Sequence, residues 1–285
     1  MNTLEIIRQF ASFITIGDVI CVVGIILLIL WLLKALLGPD PLADSVPRRN
    51  NMPLWLPFIA LLMWFGVVSL TMPITEMTKR FVPDLPDWQT AFLGNVIILT
   101  GGIGIIAEVI LSVKAHFARG LKGFGLNARA IRKDCLAALL NLVYVWPIVY
   151  LATQVTVFYG QLISKQNFNW PQHETLELVT SHPQLPLRIL IIVTTAAIVP
   201  VLEEIIFRGL FQTVMRCFLQ KTWPSIILTA ALFAMVHGHK QHWPALFVLA
   251  MCLGYSYEKS GSLFRPILIH SIFNFASIIF VLHGP

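Results

Sequence analysis

The stretch VPVLEEIIFRG, Val199–Gly209, lies inside an apolar run that extends from residue 187 to residue 217. Three formal charges, Glu203, Glu204 and Arg208, stand there among Val, Leu, Ile and Phe. Similar runs recur along the 285 residues, and about 20 apolar residues suffice to cross ~30 Å of hydrocarbon. Hydrophobic residues make up 57% of the chain and charged residues 12%, whereas a soluble domain carries about 25% charge. The fold class expected is therefore all-α: a polytopic membrane helical bundle of about eight transmembrane helices. The runs lie near 17–37, 53–73, 89–112, 134–160, 187–217, 223–238, 243–257 and 265–283.

The net charge of +6 does not point to nucleic acid, because its distribution has a simpler cause. Lys114, Arg119, Lys122, Arg129, Arg132 and Lys133 crowd one loop, 113–133, which the positive-inside rule places in the cytoplasm. Alternation from that loop puts thirteen Lys and Arg residues on the cytoplasmic side and six, among them Arg8 and Lys165, outside. Both termini then lie outside. The first run is read as a retained helix, since no small-residue cleavage site closes it. Cys21, Cys135, Cys217 and Cys252 show no CxxC spacing and are expected to be free, mostly buried thiols. Three regions follow: membrane helices over 1–160 with the basic loop 113–133, a polar loop over 161–186, and a helical core over 187–285 that holds nearly all the intramembrane charge, Glu108 being the exception. The 37–53 segment reads as a Pro-rich linker.

Ionisable groups inside a bilayer cost several kcal/mol unless they are paired or face a wet cavity. Glu204 and Arg208 are four residues apart, share a helical face and can form an ion pair. Glu203 is turned about 100° away and is left over; an unpaired buried carboxylate suits a general base. One packing network of all three charges is the plainer reading. Pro200, just upstream, weakens the helix and is expected to open it.

The next run contains FAMVHGHKQHW, in which Phe233 and His237 are four apart. His239 and His242 read as loop residues at the membrane face rather than as a metal site. The last run contains ILIHSIFNFAS, which places His270 and Asn274 on one face. Separately these polar groups are helix–helix contacts; with Glu203 they make a candidate site.

EEIIFR, FAMVH and HSIFN, in this order on successive helices, resemble the CAAX-protease and bacteriocin-processing (CPBP, or Abi) family of intramembrane proteases. The resemblance covers roughly 187–283. It implies that Glu203 activates water, that His237 positions it, and that His270 and Asn274 bind the nucleophile or the oxyanion. Glu204, Arg208 and Phe233 would support the site. It further implies an endopeptidase in the inner membrane of a bacterium. The substrate would be a membrane-bound or prenylated (CAAX-type) protein. The partner medium is the lipid bilayer, with no nucleic acid. No cofactor is required in this reading. The rival is Zn2+ held by Glu203, His237 and His270, a set of two His and one carboxylate known in catalytic zinc. Against it stand the missing His-Glu-x-x-His and the need for Glu203 to be both ligand and free base. A proton-coupled transporter and a non-catalytic scaffold are the functional alternatives.

Overall fold

In hydrocarbon no water satisfies peptide groups, and a helix satisfies them internally. The computed structural model describes residues 16–38, 40–164 and 174–283 and is accordingly helical, with no strand among the described residues. Helix α1 covers Ile16–Leu37, α2 Leu56–Phe81, α3 Asp87–His116 and α4 Ile131–Ser164. A short helix α5, Glu174–Ser181, precedes α6, Leu185–Leu219. Helices α7, Thr222–Met235, α8, Trp243–Ser260, and α9, Phe264–His283, complete the chain. The eight expected spans correspond to α1–α4 and α6–α9. Five of these, α2, α3, α4, α6 and α9, are long and apolar enough to cross a membrane. Large apolar side chains of α4 such as Leu139, Leu151 and Phe158 face outward, as lipid contact requires. The protein is an integral, multi-pass membrane protein.

Helix α6 is the axis of the bundle. Half of its most apolar window is buried, against 11–28% for the other four long spans. It packs on α2 and α3 on one side and on α7, α8 and α9 on the other, while α4 covers the far face of α8 and α9 and α1 packs on α4. That central place explains how the chain tolerates charge in α6: protein, not lipid, surrounds it. Helix α7 has only 14 residues, about 21 Å at ~1.5 Å per residue. Its far end therefore stops short of a full crossing.

Three expectations are corrected. The 37–53 segment is no loose linker. Leu42 and Met52 are buried, Lys259 donates to the Pro41 carbonyl at 2.6 Å, and Ala118 N donates to the Arg49 carbonyl at 3.2 Å. The basic loop also folds inward: Phe124 is fully buried, and its ring lies where a Cβ on Gly209 would point. Third, the thiols are not mostly buried. Cys21, Cys135 and Cys252 are half-buried, and Cys217, near the end of α6 beside Arg48 and Asn50, is exposed. Within the polar loop, α5 packs Val179 against Leu187, Ile191 and Ile278. Arg8, and Lys165 with the rest of 165–173, lie outside the described residues.

Candidate active site

The local shape of α6 follows from Pro200. Proline has no N–H and clashes with the preceding turn. The helix does not open there, as expected from sequence, but continues through a π-type turn over Thr194–Ile198. In that turn the Val199 N–H bonds the Thr194 carbonyl. The Thr195 carbonyl would take its donor from the next residue, Pro200, which has none. Asn274 of α9 supplies it, with Nδ2 donating at 3.1 Å. A second π segment, Ile205–Gln212, follows. Such segments occur often at functional sites. Glu203 and Glu204 lie between the two, in the α-helical turn Val199–Glu204.

The two glutamates separate as their angular offset requires. Glu204, fully buried, accepts from Arg208 Nη1 at 2.6 Å. Arg208 also donates Nη2 to the Ala250 carbonyl of α8 at 3.2 Å and holds its guanidinium 4.7 Å from the Phe233 ring centre. The same Glu204 Oε1 lies 2.9 Å from His270 Nδ1. Glu203 meets no guanidinium among the described residues. Its Oε1 lies 3.8 Å from His237 Nε2 and its Oε2 3.8 Å from His270 Nε2.

Both imidazoles are fixed at Nδ1. His237 Nδ1 is 2.6 Å from the Phe233 carbonyl, one of the last carbonyls of α7, which lack helical donors. A carbonyl only accepts, so this Nδ1 carries the proton and donates. His270 Nδ1 donates to Glu204 for the same reason. In the neutral imidazoles each Nε2 then presents a lone pair toward Glu203. Phe233 packs beneath, 4.6 Å from the His237 ring and 6.0 Å from the His270 ring. Trp243 Nε1 donates to the His237 carbonyl at 2.9 Å and closes the turn. Glu203 and His270 are buried, at 8% and 3% exposure, while the His237 side chain is 23% exposed and opens the site to the surroundings.

His270 reaches this level because the α8–α9 turn is recessed. Leu263 N donates to the Gly125 carbonyl at 3.0 Å, and Phe124, the neighbour of Gly125, abuts Gly209. Leu263 is seven residues from His270, and Gly209 is six from Glu203. Counted from that shared floor, both side chains sit about 10 Å up.

The structure thus brings Glu203, His237 and His270 together, with Glu204, Arg208 and Phe233 behind them. Asn274 meets α6 at Thr195 instead. His239 and His242 lie in the loop, their rings 5.9 Å apart. Sequence reading missed Trp243, Thr195 and Ala250, the last two because they act through backbone carbonyls. For Thr195 the signal was Pro200, whose missing N–H strands a carbonyl one turn upstream. For a metal, zinc bonds of about 2.0–2.2 Å would draw the donor atoms closer than the 3.8 Å found between Glu203 and each imidazole. No group of three His, Cys, Asp or Glu side chains among the described residues is placed to hold one.

Residues 185–276 match the family described as type II CAAX prenyl endopeptidase, Rce1-like. This part of the chain, about a third of its length, is similar to that family. The Rce1-like segment runs from the first residue of α6 into α9 and so contains every side chain gathered at the site, while α1–α4 and the Phe124–Gly125 floor lie outside it. Among curated proteins and among solved structures nothing matches the chain significantly. At family level this similarity supports a CAAX-type intramembrane peptidase.

Proposed function

We propose that the protein hydrolyses peptide bonds of membrane-bound or lipidated proteins with a water activated by Glu203. The observation that carries this reading is the Glu203 carboxylate flanked at 3.8 Å by two Nε2 atoms whose rings are locked through Nδ1. A separation of that size suits a water between the groups rather than a direct bond. The water donates one hydrogen to Glu203 and the other to His237 Nε2. As its oxygen attacks the scissile carbonyl carbon, Glu203 takes the proton and the carbonyl π pair moves onto oxygen.

The resulting oxyanion needs preorganised donors, each contributing about 3 kcal/mol in a dry site. In its imidazolium form, with a second proton on Nε2 in place of the lone pair, His270 is one donor, and the Glu204 carboxylate behind it stabilises that charge. The family resemblance assigns the second N–H of Asn274 Nδ2, whose first bonds the Thr195 carbonyl, as the other. When the C–N bond breaks, the proton held by Glu203 passes to the leaving amine, and acid and amine products result. Binding a lipid-anchored substrate suits a site enclosed by α6, α8 and α9 and opened at His237.

The test uses full-length protein in liposomes with a lipidated peptide. Glu203→Gln keeps shape and removes the base; cleavage is expected to fall at least about 100-fold while the thermal midpoint stays within a few degrees. Cleavage at the wild-type rate by this variant rejects the assignment.

A further inference from the structure

Where residues 44–49, 118–123 and 258–261 meet, the structure encloses a pocket of about 620 Å³. Five basic side chains line it, Arg48, Arg49, Arg119, Lys122 and Lys259, against two acidic ones, Asp44 and Glu258. Glu258 is buried and already spent. Its Oε1 accepts from Gln212 at 2.9 Å and lies 3.5 Å from Arg48, and its Oε2 accepts from Ser45 at 2.6 Å. Arg49, Arg119 and Lys122 are exposed, and no acidic side chain among the described residues pairs with them. The surplus positive charge is thus left for something other than protein.

Positive-inside bias alone would scatter such charges over loops. Here three segments far apart in sequence are tied into one concave wall by backbone and side-chain bonds. Asn51 N donates to the His116 carbonyl at 3.0 Å, Ala118 N to the Arg49 carbonyl at 3.2 Å, and the Tyr257 hydroxyl to the Phe124 carbonyl at 2.9 Å. Arg48 donates to the Tyr257 carbonyl at 3.2 Å, with its guanidinium 3.5 Å above that ring. The wall sits just past the ends of α3 and α8, on the side that carries most Lys and Arg, where phosphate headgroups lie. Guanidinium forks and ammonium groups match phosphate oxygens.

We infer that this pocket binds a phosphate-bearing anion, supplied either by the headgroup of an acidic phospholipid or by soluble phosphate. The inference does not depend on the peptidase reading, and its test does not measure cleavage. Thermal unfolding of the full-length protein in phosphatidylcholine nanodiscs is followed while phosphatidylglycerol is incorporated, and separately while inorganic phosphate is added. A saturable rise in midpoint is expected. Arg119→Gln with Lys122→Gln raises the half-saturating concentration about 30-fold, at the usual worth of two surface cations. Neither side chain makes a fold contact that this change removes. Arg129→Gln with Arg132→Gln, at and just inside the start of α4 and outside the pocket, leaves it within about twofold. Saturation by phosphatidylglycerol alone identifies the lipid as the source; saturation by inorganic phosphate identifies the free anion. No saturable rise with either, or an equal loss in both double variants, overturns the inference.

Discussion

Glu204 illustrates how one buried carboxylate can serve two neighbours. It neutralises Arg208 and, through the same oxygen, fixes the ring of His270. Removing Arg208 leaves a fully buried carboxylate without its cation, which costs about 3–5 kcal/mol. Arg208→Ala is therefore expected to lower the thermal midpoint in detergent steeply. Arg208→Lys restores charge but cannot reach both Glu204 and the Ala250 carbonyl with a planar fork, so it recovers only part of the loss. A midpoint unchanged in Arg208→Ala contradicts the pairing. The metal question also belongs here. With Glu203 as the free base, exhaustive chelation is expected to leave cleavage within about twofold of the untreated enzyme; loss on chelation with rescue by added Zn2+ decides for the ligand set instead. Much at this scale was legible: four-residue spacing pairs Glu204 with Arg208 and leaves Glu203 outside that pair. The double use of Glu204 was not, because it depends on a helix 66 residues away.

At the level of elements, α6 and α9 are joined by a carbonyl that proline leaves without a donor. Asn274→Ala strips Thr195 of its partner, at an expected cost of about 1–3 kcal/mol. Pro200→Ala returns an N–H five residues after that carbonyl, so the double variant is expected to regain stability relative to Asn274→Ala. Cleavage is not expected to return with it, because the oxyanion donor stays missing. A double variant no more stable than the single one refutes the link. The spans themselves were legible, since apolar runs near 20 residues leave little choice of structure. The π turns were not. A proline inside a helix announces a local fault, but whether the chain opens or gains an extra residue per turn depends on what a neighbouring helix offers.

For the molecule as a whole, the N-terminal helices and the C-terminal core are tied by long-range backbone and side-chain bonds that no periodicity encodes. The 40–53 strap and the inward fold of residues 117–126 read as a linker and a basic loop, because their anchors are single carbonyls and glycines: Pro41, Arg49, Gly125 and Gly209. The depth of His270 was unreadable for the same reason, since the floor from which α9 starts is set by Phe124.

The short α7 carries a consequence for the lipid. Hydrocarbon about 30 Å thick meets a helix of about 21 Å, and a bilayer answers such hydrophobic mismatch by thinning locally. The dimple would fall at His237, the most solvent-reached member of the trio, and would let water descend to Glu203 without an aqueous channel through the protein. Catalysis should then follow acyl-chain length: cleavage in vesicles of 14-carbon lipids is expected to be several-fold faster than in 22-carbon lipids at equal fluidity. Equal rates in both would mean that water reaches Glu203 by a route independent of membrane thickness.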